Sequence, residues 1–507
     1  MKANKVMIQG TGSDVGKTLL TAGLCRIFSR RGYDTAPFKS QNMALNSYIT
    51  KNEKEIGRAQ AMQAEAAGIE PEIAMNPILL KPNSDNNSQV VIEGKPYKNM
   101  TAEDYFSARQ KMLPIIRKNL DYLLQEKEIV VIEGGGSPAE INLRDKDMVN
   151  MKIAQMAEAP VILVASIEKG GVFASIVGTL DLLTREERKR VKAVIINKFH
   201  GDISRFESGI NFLEDYTGKP ILGVLPYFKE LDLPEEDSLD KRGNNKPSAP
   251  VNIAVVDLPH ISNFTDFDYF REESVCNLRY TFNSYQLDKA DLIIIPGSKN
   301  TISDLKKLYK EGIVSKIKKL ADQGVMIAGI CGGFQMLGKE IVNSDGIVIS
   351  DKKIKGIGLL DINTFFKSEK ITTRIKARST GHIPFLDESN FILKGYEIHQ
   401  GRTKRRTETE PAFVLRRKNQ KKEIKDGAVS INGNIWGSYI HDLFANDRFR
   451  KKLLNYLLRK KGLKPLKFKI DNLSPQQKRL NQYDILADKL EKYLDMNLLD
   501  KIIFKNR

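Results

Sequence analysis

The chain is poor in the residues that staple a fold together or anchor it in a bilayer. Its 507 residues include three cysteines, Cys25, Cys276 and Cys331, spaced too widely for a disulfide framework or a zinc site. That pattern points to a reducing, cytoplasmic setting. Apolar runs such as Ile129–Ile132, Val161–Ile167 and Leu292–Ile295 fall far short of the roughly 20 residues a membrane helix needs, so no membrane partner is expected. The first residues lead directly into a strand and a glycine loop, and no signal peptide is expected. Neither an internal repeat nor a low-complexity segment is visible. Acidic residues are in the minority, 63 against 81 Lys and Arg, for a net charge of +18. Charge of this sign suggests a nucleic-acid partner. The basic residues are scattered, however, and no RNA-recognition, zinc-finger or basic-region motif accompanies them, so no nucleic acid is expected. Lysine-rich solvated faces explain the charge, and so would a basic cleft for a small substrate with several carboxylates.

A chain this long exceeds one hydrophobic core, and two or three domains are expected. The polar stretch Lys241–Pro250 reads as a linker. It separates a domain over residues 1–240 from one over 251–450, with a helical C-terminal extension over 451–507. In the first, short apolar strands at Lys5–Gln9, Ile129–Ile132, Val161–Ala165 and Ala193–Ile196 alternate with helical patterns, which predicts a doubly wound, mostly parallel α/β sheet. Ligands in such folds sit at the C-terminal ends of the strands.

The loop Gly10, Thr11, Gly12, Ser13, Asp14, Val15, Gly16, Lys17 and Thr18 lies between the first strand and a helix over Leu19–Phe28. Its backbone N–H groups would wrap ATP phosphates, with Lys17 on the outer ones and the Thr18 hydroxyl on Mg²⁺. Gly10 and Gly16 stand six apart instead of the usual five. Glu133 ends a buried strand and precedes three glycines, a position suited to magnesium or phosphate work, although strand-end acids are often merely solvated. The amide-rich segment Pro37–Tyr48 is either a binding loop or a solvated one. Asn76–Asn83 and Ser88–Val91 read as a loop and a strand.

In the second half a strand, Val325–Ala328, runs into Gly329-Ile-Cys-Gly-Gly333 and a helical segment, Phe334–Leu337. A glycine-flanked turn between strand and helix holds one side chain exposed and strained, as a nucleophile elbow does. A helix N-terminus at that place favours a thiolate and offers N–H groups to an oxyanion. Gly332 is one candidate donor, and Gly297 in the loop Pro296–Ser298 is the other. The bland alternative is a glycine turn with an incidental buried cysteine. A thiol nucleophile needs a base, and five histidines are present: His200, His260, His382, His399 and His441. His399 and His441 occupy similar settings beside strands.

Taken together, these segments resemble the cobyric acid synthase family, a group of cobyrinate-type glutamine amidotransferases, over most of the chain. The first half resembles a dethiobiotin-synthetase-like P-loop domain through Gly10–Thr18, Phe38–Met43, Ile56–Gln60, Asn76–Lys81, Glu133–Asn142, Lys169–Phe173 and Asn197–Asp202. The second resembles a class I glutamine amidotransferase domain through Ile261–Asp268, Pro296–Thr301, Gly329–Gly338 and Gly437–Asp442. The resemblance implies that His441 activates Cys331, which releases ammonia from glutamine. MgATP then phosphorylates a corrinoid carboxylate, and ammonia displaces the phosphate. In the family this recurs at the b, d, e and g carboxylates of (adenosyl)cobyrinic acid a,c-diamide, with no tightly bound prosthetic group. Leu443 stands where many class I relatives carry a glutamate, which leaves Glu397 as a candidate to orient the base. Glu168-Lys169 replaces a frequent Asp-Arg pair. Rival readings are a sibling ligase (a,c-diamide synthase or cell-wall precursor amidase) and a partitioning-type ATPase. The latter usually carries an early loop lysine, where this chain has Thr11, Gly12 and Ser13.

Overall fold

The computed structural model describes residues 3–504 except 85–86, 229–230, 232, 234–242, 245, 344–352, 387–390, 419 and 467–474. Strands β1 (Asn4–Gly10), β2 (Thr35–Phe38), β3 (Ile129–Glu133), β4 (Val161–Ser166), β5 (Val191–Phe199) and β6 (Ile221–Pro226) form one parallel sheet, in the order β6-β5-β4-β1-β3-β2. Their near-continuous apolar sequences follow from burial on both faces. Alternation sends Val6, Ile8, Val131 and Ile162 into one core, and Met7, Val130, Ile132 and Leu163 into another on the opposite face. Helix α1 (Lys17–Arg30) packs on the first face, and helices over 109–126 and 172–182 on the second.

The alternation of strand and helix is interrupted between residues 41 and 101. Asn76–Asn83, expected as a loop, lies mostly in a strand, Ile78–Ser84. That strand joins Asn87–Ile92, Lys95–Thr101 and Gln41–Met43 in a small sheet, largely antiparallel. Its polar residues find partners across strands, which masks the apolar alternation a sequence reading depends on. Helix α2 (Arg58–Ala66) follows the polar loop.

The second half has its own parallel strands: β7 (Val251–Val256), β8 (Cys276–Thr281), β9 (Leu292–Ile295), β10 (Met326–Ile330) and, late in the chain, Ile435–Ser438. Residues 428–430 and 409–410 add two antiparallel edge strands. Between them lies a long hairpin of β11 (Ile362–Ser379) and β12 (Ile392–Arg405), extended by β13 (Phe413–Arg417). Of the expected linker Lys241–Pro250, Lys241, Arg242 and Asn245 lie outside the described residues. Asn244 and Lys246 are bonded to carbonyls of the second half, at Cys276 (2.9 Å) and Arg271 (2.9 Å).

The C-terminal helices divide between the halves. Helix α3 (Asp447–Lys460) buries Phe449, Leu453 and Leu457 in the second core. Helices α4 (Pro475–Tyr493) and α5 (Met496–Ile503) return to the first sheet. There Tyr483, Leu486, Leu490 and Leu499 share a core with α1. Arg26 grips Asp484 through two bonds of 2.8 and 2.9 Å. Among the described residues no helix is long and apolar enough to cross a membrane.

Candidate active site

Cys331 follows β10 and caps the next helix at φ 50°, ψ −105°, a strained conformation for a residue with a side chain. The neighbouring glycines make the turn possible. A Cβ on Gly333 would lie 1.9 Å from the carbonyl oxygen of Ile295, and one on Gly329 would lie 2.8 Å from Gly333 C. Strand and helix therefore meet backbone to backbone, leaving the sulfur at the tip of the elbow beside the carbonyl of Ile398 (3.7 Å).

His441 is a hydrogen-bond partner of Cys331. Its ring is buried, and Nδ1 donates to Asp266 Oδ2 at 2.7 Å. The other Asp266 oxygen accepts the backbone N–H of Asp442 (3.2 Å), which fixes the carboxylate against the turn that carries the base. Burial alone would lower the pKa of His441. The charge and hydrogen bond of Asp266, with those of Cys331, outweigh it and push the value up to about 10. Tyr396 stacks on the imidazole, with ring centroids 5.1 Å apart.

Glu397, the sequence-based candidate to orient the base, does not reach it. It accepts from His399 (3.1 Å) and from Arg417 (2.8 Å), and those bonds overcome burial and take its pKa down to about 2. The third acid is Asp266, 175 residues before the histidine. It lies inside the segment Ile261–Asp268, which carried the family resemblance but was assigned no role. A contact spanning that separation leaves no local pattern to find.

In the loop Pro296–Ser298, the residue whose main-chain nitrogen lies beside Gly332 is Ser298 and not the expected Gly297. Gly297 pairs with Ser262 in a short antiparallel ladder, and the N–H of Lys299 donates to the His260 carbonyl at 2.9 Å. Bonds in such a ladder alternate, so the N–H of Gly297 belongs to Ser262 and that of Ser298 falls outside the ladder. A Cβ on Gly332 would sit 2.7 Å from Ser298 N. The backbone nitrogen of Ser298 therefore lies beside Gly332, while that of Gly297 is committed to the ladder.

At the first sheet, Gly10–Thr18 curls over the C-terminal end of β1, with Gly16 at φ 96° and Asn197 Nδ2 donating to the Val15 carbonyl (2.8 Å). Lys17 Nζ donates to the carbonyls of Gly12 (2.7 Å) and Gly136 (3.3 Å), which aims its head across the loop mouth. Thr18 Oγ1 donates to Glu133 Oε1 at 2.9 Å, so the two expected magnesium ligands are adjacent. Hard oxygen donors so placed suit Mg²⁺, with nucleotide phosphates completing the shell. Two further residues converge on Glu133 that the sequence reading did not single out. Lys39 donates to Oε1 (2.9 Å) and Gln63 to Oε2 (2.5 Å). Lys39 directly follows β2 in the resembling segment Phe38–Met43, and that was the available signal. The cavity here is lined by Lys17, Thr18, Lys39 and Glu133 at one end and by Tyr227, Phe228 and Leu231 at the other, a polar seat for phosphates beside an apolar one for a base.

The polar loop joins the two sites. Ser40, Asn42, Asn46 and Ser47 are buried, which excludes a solvated loop. The Ser47 N–H donates to Asn263 Oδ1 (3.0 Å), and the amide nitrogen of Asn263 stands 3.4 Å from His441 Nδ1. Tyr396 donates its hydroxyl to the Ser47 carbonyl (3.2 Å).

Residues 6–239 match the CobQ/CobB/MinD/ParA nucleotide binding domain, and residues 252–449 the CobB/CobQ-like glutamine amidotransferase domain. Over its whole length the chain is similar to curated proteins named cobyric acid synthase. It is 47% identical over 505 residues to that of Thermoanaerobacter sp. (strain X514), covering 99% of each chain. It is 47% identical over 500 residues to that of Clostridium botulinum (strain Loch Maree / Type A3), covering 98% of this chain and 99% of the relative. With the protein of Alkaliphilus metalliredigens (strain QYMF), identity is 45% over 503 residues, at 98% and 99% coverage.

Proposed function

The chain belongs to the cobyric acid synthase family, and on that premise we propose how its two sites divide the work. The reaction is ATP-driven, glutamine-dependent amidation in cobalamin biosynthesis. At the elbow, Cys331 Sγ attacks the side-chain amide carbon of glutamine, and negative charge gathers on the amide oxygen opposite the N–H groups of Ser298 and Gly332. The carbon–nitrogen bond breaks, a thioester remains, and the proton held by His441 leaves on ammonia. His441, neutral at that moment and held by Asp266, then takes a proton from the water that hydrolyses the thioester.

At the phosphate loop, Gly10–Thr18 and Lys17 hold the triphosphate of ATP. Thr18 and Glu133 would hold Mg²⁺, which when bound neutralises phosphate charge. A carboxylate oxygen of the corrinoid attacks the γ-phosphorus, ADP leaves, and ammonia displaces phosphate from the acyl phosphate to give an amide. The acceptor is (adenosyl)cobyrinic acid a,c-diamide, amidated at b, d, e and g. What supports this reading is the presence of both constellations in one chain, Cys331–His441–Asp266 and Lys17–Thr18–Glu133, joined by one buried polar loop.

Mass spectrometry of cobyrinic acid a,c-diamide with MgATP and glutamine tests it. Four successive carboxyl-to-amide conversions are expected, with Cys331→Ser failing on glutamine but working on free ammonium. Intact glutaminase and ATPase activities without conversion would assign the protein to a sibling acceptor.

A further inference from the structure

The mechanism leaves unused a second large cavity, a cleft of about 820 Å³ at the junction of the two halves. Eight Lys and Arg side chains line it against a single carboxylate, Asp442. Four of the eight are engaged with acids. Arg58 lies 3.8 Å from Asp442, Arg374 3.4 Å from Glu70 and Arg417 2.8 Å from Glu397, while Arg479 holds Glu65 at 2.7 Å.

Three others form a row. Lys394 on β12 stands directly opposite Lys376 on β11, and Lys376 stands directly opposite Arg416 on β13. All three are exposed, and no carboxylate pairs with any of them among the described residues. Like charges at directly opposed positions of adjacent strands destabilise a sheet, and here two such oppositions share the central lysine. The arrangement is favourable once an anion with several charges lies across it. The same cleft is lined by Tyr48, whose ring lies against Arg58 (5.4 Å) and Arg374 (5.3 Å), an aromatic and cationic wall suited to a flat body with an acidic rim.

We infer that this cleft holds the peripheral carboxylates of the corrinoid that are not being amidated, with Lys376, Lys394 and Arg416 as the contact row. The inference rests on the substrate reading above and adds a place and a logic to it. Arg58 opens α2, and Gln63, five residues on, bonds Glu133. One helix thus carries a residue that lines the cleft and a residue that bonds Glu133 at the phosphate site. A macrocycle with carboxylates around its rim can present one to the phosphate while others rest on the row. Each amidation removes one negative charge, so the grip weakens as the product matures, and the neutralised rim is the one released.

Equilibrium dialysis of the full-length protein with cobyrinic acid a,c-diamide tests this, alongside amidation supported by free ammonium. The variant Lys376→Ala/Lys394→Ala/Arg416→Ala should weaken corrinoid binding and raise the corrinoid KM roughly tenfold, with a shallower salt dependence. The KM values for ATP and glutamine, and glutaminase turnover, should stay as in the wild type. Its thermal midpoint should be no lower, because the repelling row is gone. A charge-keeping variant, Lys376→Arg/Lys394→Arg/Arg416→Lys, should bind as the wild type does. Wild-type protein should hold the diamide more tightly than the fully amidated product. Equal binding of the diamide by wild type and the alanine variant would overturn the cleft assignment alone. Failure of the wild type to bind the diamide at all would overturn the substrate reading beneath it.

Discussion

At the scale of single residues, the charge on His441 links catalysis to stability. Its pKa rises from 6.5 to about 10 because Asp266 and the Cys331 sulfur stabilise the imidazolium more than burial penalises it. A raised folded-state value contributes stability that is complete below pH 6.5 and is lost as pH climbs through 10. Asp266→Asn removes the larger partner. Its glutaminase kcat should fall by roughly 10²–10⁴-fold while ammonium-dependent amidation persists. The wild-type stability advantage over this variant, followed by urea unfolding across the window, should be greatest at its acid end and shrink towards pH 10. A difference that stayed flat would mean His441 is not the linked group.

At the scale of elements, the two loops that carry chemistry are short pieces of backbone forced into shape by glycine. The elbow is the more demanding, because Gly333 touches main chain at Ile295, which has no flexible end to move aside. Gly333→Ala should cost roughly 1–3 kcal/mol or more and abolish glutaminase activity, measured by thermal melting and ammonia release. An active, equally stable variant would show that the elbow can open. Both loops were legible because strand, glycine turn and helix are contiguous and their periodicities change over a few residues. The hairpin β11–β12 was not legible. Its strands carry Lys, Arg, Thr and Glu on faces that meet the cleft and the first half, so the apolar alternation that marks a strand is diluted.

At the scale of the molecule, the halves are locked by charges buried between them. Glu55 of the first half accepts from Lys370 of the second (2.6 Å) and from Lys81 (2.7 Å). Burial would raise its pKa, but Lys370, Lys81 and the nearby Lys299 hold it well below the usual carboxylate range. That contribution is present above about pH 4.5 and is lost on acidification. Glu55→Gln strands these lysines together, and a loss of about 3–5 kcal/mol is expected in denaturant unfolding. An unchanged midpoint would show that the halves hold together without it. Helices α4 and α5 take their place from the first half instead, packed against α1. These helices were expected as an extension without chemistry, and they complete the core over α1 behind the phosphate loop.

Sequence alone determined the doubly wound α/β class, and it pointed to the loop with Lys17 and Thr18, to Glu133 and to the glycine turn around Cys331 as candidate sites. Each is written in neighbouring residues, because a loop that cradles phosphate or exposes a thiol depends on local backbone conformation. Tertiary structure alone decided that Asp266 and not Glu397 holds the base, that Ser298 and not Gly297 faces Gly332, and that Lys39 and Gln63 meet at Glu133. It also decided that Lys394, Lys376 and Arg416 share one row. These are relations of register and packing between distant segments. A carboxylate becomes the partner of a histidine only where the fold removes competing water and brings the two within 2.7 Å.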